Sequence, residues 1–74
     1  MRPTLYAEWG HILRTKREAA ELTQQALADA AGCTKAHISN IERGKCSVSD
    51  SLRVSLAAAL STTAAELFPY PDAA

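Results

Sequence analysis

The sequence predicts an all-α fold of five short helices in one domain, and three observations predict it. The chain has 74 residues, enough for a single domain with a modest core. Hydrophobic residues make up 47%, with alanine supplying much of that, against three glycines and three prolines; such a composition favours helix over strand. Apolar residues also recur at helical spacing between residues suited to cap and stop helices. The domain is expected to span 1–74, with its core over about 5–68 and a tail over 69–74.

The first helix is expected from about Leu5 to Ala20, with Pro3 before it and Thr4 as its N-cap. Leu5, Trp9, Ile12, Leu13 and Ala20 fall on its inner side. The second runs from about Gln24 to Ala31, capped by Thr23 and stopped by Gly32, with Leu27, Ala28 and Ala31 inward. The third runs from about Lys35 to Arg43, between Thr34 and Gly44, with Ile38 and Ile41 as its buried pair. Residues 45–49 read as a short polar loop. Ser49 or Ser47 then caps a fourth helix from about Asp50 to Leu60, whose stripe is Leu52, Leu56, Ala59 and Leu60. The fifth runs from about Ala64 to Phe68, where Thr63 and Glu66 have capping-box spacing. Pro69 and Pro71 end regular structure.

Charge excludes some functions and locates another. Eight basic and eight acidic residues give a net charge of zero, which argues against non-specific nucleic-acid binding. The distribution is uneven. Residues 35–53 carry Lys35, Arg43, Lys45 and Arg53 against Glu42 and Asp50, while 54–74 carry only Glu66 and Asp72. Positive charge therefore gathers around the third helix. The longest apolar run, Leu56 to Leu60, is far too short to span a bilayer, and the N-terminus lacks a signal-peptide core. The expected location is the cytoplasm, where Cys33 and Cys46 are reduced thiols. Cys33 is expected to pack in the turn and Cys46 to be exposed. Their spacing to His11 and His37 matches no zinc pattern. No catalytic arrangement of Ser, His, Cys and Asp has an activating context. Neither an enzyme nor a cofactor or metal protein is expected, and no small-molecule substrate or membrane is expected among its partners.

The informative stretch is Gln24 to Arg43, QQALADAAGCTKAHISNIER. A helix, a tight turn with Gly32 and a second helix follow without a gap. Ala28 is small where the two helices must cross, and Leu27, Ala31, Cys33, Ile38 and Ile41 are the apolar positions that fix their angle. Lys35, Ala36, His37, Ser39 and Asn40 are left outward and short or polar. This is the arrangement that sets a helix face into the DNA major groove.

LTQQALADAAGCTKAHISNIERGK resembles the helix-turn-helix of the phage-repressor/Cro family, which includes restriction-modification controllers and many antitoxins. The matching features are Leu22-Thr23-Gln24, the Leu27-Ala28 pair, Gly32, and Ile38-Ser39 followed by Ile41-Glu42 and Gly44. Leu56-Ala57, Ala59-Leu60 and Glu66-Leu67-Phe68 extend the similarity to roughly residues 8–68. Glu21 departs from it, standing where the family often has glycine, and Lys16 stands where many members are apolar.

The resemblance implies a lambda-repressor-like five-helix DNA-binding domain and assigns roles by position. Lys35, Ala36, Ser39 and Asn40 would face base edges. Gln24, His37, Arg43 and Lys45 would meet phosphates. Arg17 and Glu42 would form a structural salt bridge. The expected function is a sequence-specific transcriptional regulator that binds double-stranded DNA, reading a palindromic operator as a homodimer. Leu67, Phe68 and Tyr70 crowd one short segment, more than a small core is expected to bury beside Leu56 and Leu60, and are the expected dimer interface. The alternative is a protein-interaction module or antitoxin that keeps the fold and binds a partner protein.

Overall fold

The computed structural model describes residues 5–69. Five helices form: α1 (Leu5–Ala19), α2 (Gln24–Ala31), α3 (Lys35–Glu42), α4 (Asp50–Ala59) and α5 (Ala64–Leu67). No strand occurs among the described residues. The N-caps of α2 to α5 are Thr23, Thr34, Ser49 and Thr63, each accepting a backbone N–H three residues on. Thr63 and Glu66 complete only half a capping box. The Glu66 amide donates to Thr63 Oγ1 at 3.2 Å, but the Glu66 carboxylate accepts from Thr62 Oγ1 at 2.8 Å. The expected Pro3–Thr4 start lies outside the described residues.

The ends of α1 to α4 share one device. Beyond each, an N–H reaches back five residues, as Leu22 to Arg17, Cys33 to Ala28, Lys45 to Asn40 and Thr62 to Ala57. This Schellman closure needs a left-handed residue just before the donor. Gly32 and Gly44 supply it with φ of 77° and 72°, whereas Glu21 and Ser61 adopt it at 58° and 55° despite their side chains. The turn after α1 therefore closes as those after α2 and α3 do, although Glu21 carries a side chain where they have glycine.

α2 packs on both α3 and α4, α1 on α3 and α5, and α4 on α5. The core where they meet holds Trp9, Leu13, Leu27, Ala28, Ile38, Ile41, Val48, Leu56, Ala57, Leu67 and Phe68. Four expectations are corrected here. Ala20 is exposed, because it lies past the end of α1. The 45–49 loop is not wholly polar: Val48 is buried, and Cys46 packs partly against the core. Ala57 joins the inward face of α4. Leu67 and Phe68 are 0% and 2% exposed, so the core buries both where too much apolar surface was expected for it.

Trp9 shows how the core accommodates them. Its ring meets Phe68 edge-on at 5.4 Å, its Nε1 donates to the Pro69 carbonyl at 2.7 Å, and the Arg53 guanidinium lies 5.3 Å over its face. One side chain from α1 thus ties down α4 and the chain leaving α5. Tyr70 lies outside the described residues.

Candidate nucleic-acid interface

α3 is held from behind by Ile38 and Ile41, which are 0% and 1% exposed. Three residues apart, they turn the opposite side of the helix outward. Lys35, Ala36 and Asn40 are exposed there, while His37 and Ser39 are half-buried. Thr34 caps the helix by accepting the His37 amide at 3.1 Å, which places Lys35 on the first turn. At the other end the Gly44 turn carries Arg43 and Lys45, both exposed. The outward face thus presents an ammonium, a methyl and an amide, with a basic turn behind it. It can donate to acceptors, pair with an amide-bearing edge and touch a methyl group.

Of the four cations in residues 35–53, three are presented to solvent. Arg53 is not: its guanidinium covers Trp9 and pairs with Asp50, leaving the side chain 14% exposed. Charge counting along the chain cannot distinguish a cation turned over an aromatic ring from one in water.

Two close approaches fix where α3 sits. Gly10, in the middle of α1, lies against the last turn of α3; a Cβ there would stand 2.6 Å from the Glu42 carbonyl oxygen and collide with that of Ile41 as well. Gly44 lies against α1, where a Cβ would be 2.9 Å from Ala7 Cα. Gly10 escaped the sequence reading because a glycine inside a helical pattern carries no local signal of what it faces. The α1–α3 seam is therefore backbone on backbone.

The structure brings Arg17 and Glu42 together. Arg17 Nε donates to Glu42 Oε2 at 2.6 Å and Nη2 to Oε1 at 3.1 Å, with the side chains 12% and 4% exposed. Arg17 Nη1 also donates to the Leu22 carbonyl at 2.8 Å. The hydrogen bond to Glu42 pushes the Arg17 pKa up, against the opposing effect of burial. Gln24 was not foreseen in this cluster: its Nε2 donates to Glu42 Oε1 at 3.1 Å. Sequence spacing gave no hint of that bond, since the residues lie on different helices. No group of three or more potential metal ligands occurs among the described residues, and no described helix is long and apolar enough to cross a membrane.

A family model for a helix-turn-helix domain matches residues 8–67. Among solved structures, the chain is similar to the restriction-modification controller protein C.AhdI from Aeromonas hydrophila, with 35% identity and a TM-score of 0.82 over 85% of this chain and 91% of that one. It is also similar to the clp gene regulator ClgR from Corynebacterium glutamicum, with 31% identity and a TM-score of 0.87 over 92% and 87%. A hypothetical transcription factor from Neisseria, NHTF, matches at 28% identity and 0.83 over 92% and 78%. No curated protein matches the chain.

Proposed function

The chain belongs to the helix-turn-helix family of DNA-binding transcription regulators, and from that premise we propose that α3 reads the major groove of a palindromic operator as part of a homodimer. The observation that carries this is the exposed Lys35, Ala36 and Asn40 on a helix locked from behind by Ile38, Ile41 and the Gly10 seam. Lys35 suits guanine O6 or N7, Asn40 suits adenine N6 and N7, and the Ala36 methyl suits thymine. Ser39, half-buried beside them, is the fourth base-facing residue. Arg43, Lys45, His37 and the start of α2 at Gln24 are assigned to phosphates. Regulation would be steric, by occupying a promoter, or would act through a polymerase bound alongside.

One reading helix covers too few base pairs to select a site in a genome, which favours a two-fold dimer. With Leu67 and Phe68 packed in the core, the large hydrophobic left exposed in the C-terminal part, among the described residues, is Val54, 62% exposed, on a groove of about 500 Å³ that Ala64, Ala65, Phe68 and Pro69 also line. We assign the dimer contact there.

Selection from random duplexes, followed by a salt titration on selected and mixed-sequence DNA, tests the function. The expected result is a symmetric motif, bound far more tightly than mixed DNA, with log Kd linear in log salt. Failure to bind any duplex would instead favour the protein-interaction module, the reading that zero net charge supports.

A further inference from the structure

Glu42 does more than a two-residue brace between α1 and α3 requires. Its carboxylate accepts from Arg17 through both oxygens and from Gln24 through Oε1, while Arg17 reaches on to the carbonyl of Leu22 just before α2 begins. The end of α3, the side of α1 and the first residue of α2 therefore meet on one group, whose side chain is 4% exposed. A carboxylate only accepts, so the Gln24 amide must turn its NH₂ toward Glu42 and its oxygen away. A free surface glutamine would sample both orientations. The same nitrogen carries a second hydrogen, and Gln24 is half-buried at the start of α2, where the first backbone amides lie outside intrahelical pairing. Arg17 offsets the charge of Glu42, so a second anion approaching Gln24 does not meet a bare carboxylate.

We propose that Glu42 is a positioning residue for the DNA backbone: it fixes the Gln24 amide nitrogen-first, so that the remaining N–H and the start of α2 meet one phosphate in each half-site as a preset donor group. The proposal rests on the DNA-binding function above. It differs from a bracing role for the ion pair, because a brace alone would not couple Gln24 to Glu42 in binding.

The test is a binding cycle on the selected duplex. Gln24→Met is measured in the wild-type chain and in the Arg17→Met/Glu42→Met chain, where apolar residues of similar length replace the ion pair, a replacement such sites often tolerate. Thermal melting confirms that each variant folds. Gln24→Met is expected to weaken wild-type binding about tenfold and the doubly substituted chain about twofold or less. In parallel, a duplex with a single neutral methylphosphonate at the contacted phosphate should weaken the wild-type chain clearly more than it weakens Gln24→Met, which keeps only the start of α2 as donor. Equal losses in both backgrounds, or no loss in either, would overturn the proposal. If the doubly substituted chain does not melt cooperatively, NMR relaxation of the Gln24 side-chain amide in the free wild-type protein decides: an ordered amide supports the proposal and a freely rotating one overturns it. A wild-type chain that binds no duplex sinks the DNA-binding function itself, which is a different outcome from duplex binding without coupling.

Discussion

Arg43 and Asn40 are both exposed, but the proposed interface asks different things of them. Arg43 sits beyond α3 in the basic turn and is assigned to a phosphate, which carries no sequence information. Arg43→Ala should weaken binding about equally on all sequences and lower the salt slope by about one unit. Asn40→Ala should leave the slope intact and relax preference at one base pair per half-site, at a cost of about 1–3 kcal/mol. Salt titrations combined with selection of each variant separate the two, and an unchanged motif for Asn40→Ala would remove it from base readout. Cys33 makes a pH prediction. Burial in the turn pushes its thiol above the ordinary 9.0, because the thiolate loses hydration there. The sign follows from linkage: the neutral thiol is favoured by folding, so its contribution is complete below the unfolded pKa and is lost as pH rises through the folded one. Alkylation of Cys33 at pH 8 should be slower in the folded chain than in urea, and Cys33→Ala should flatten the alkaline fall in stability. Equal alkylation rates would show that the thiol is not desolvated.

Helix ends and helix crossings are where the elements hold or lose energy. Glu21 occupies a left-handed position with φ of 58° and stays exposed, so its side chain costs conformational energy without visible packing in return. Glu21→Gly should stabilise the fold by about 1 kcal/mol, with the greater unfolded-state freedom of glycine offsetting part of the relief. For a domain of this size that is a rise of about 4–8 °C in Tm. A lower Tm would mean the Glu21 side chain contributes a contact worth more than the strain. Gly10 behaves in the opposite way. Alanine inside a helix is intrinsically better than glycine by about 1 kcal/mol, but here its Cβ would meet backbone carbonyls of α3, which cannot swing aside. Gly10→Ala should therefore destabilise the chain by about 1–3 kcal/mol net of that gain. It should also lower binding to the selected site more than to mixed DNA, since α3 is displaced. A Gly10→Ala chain that melts higher would show that the seam opens easily.

At the scale of the whole molecule, the question is what the monomer leaves uncovered. The core absorbs Leu67 and Phe68 by packing Phe68 edge-on against Trp9, and Val54 is left as an exposed large apolar side chain beside the α4–α5 groove. If two copies meet there, the two α3 helices should lie about 34 Å apart, one DNA turn between half-site centres. Val54→Lys should raise the dimer dissociation constant about tenfold or more, from the apolar burial of one valine and a charge set in its place. Sedimentation of both chains, with footprinting on the selected site, measures this. Unchanged sedimentation would put the contact elsewhere, and a protected site with one unrepeated half would remove the dimer.

Much of this fold was legible in the chain because it is written in local chemistry. Thr23, Thr34, Ser49 and Thr63 cap helices through bonds to residues three positions away, and the Ile38–Ile41 spacing needs only helical geometry to face inward. Those signals act within one turn, so five helices and the outward set on α3 follow from reading along the sequence. The tertiary structure decided everything that depends on which turns face each other. It put Phe68 and Leu67 inside, where the chain alone suggested excess apolar surface, and it set Trp9, distant in the chain, edge-on against Phe68. It turned Arg53 from a solvent cation into a cover for that same ring. It kept Glu21 left-handed, because the closure from Leu22 back to Arg17 outweighs the cost of one side chain. And it gathered Arg17, Gln24 and Glu42 from three helices onto one carboxylate, a juxtaposition that no spacing within a single helix encodes.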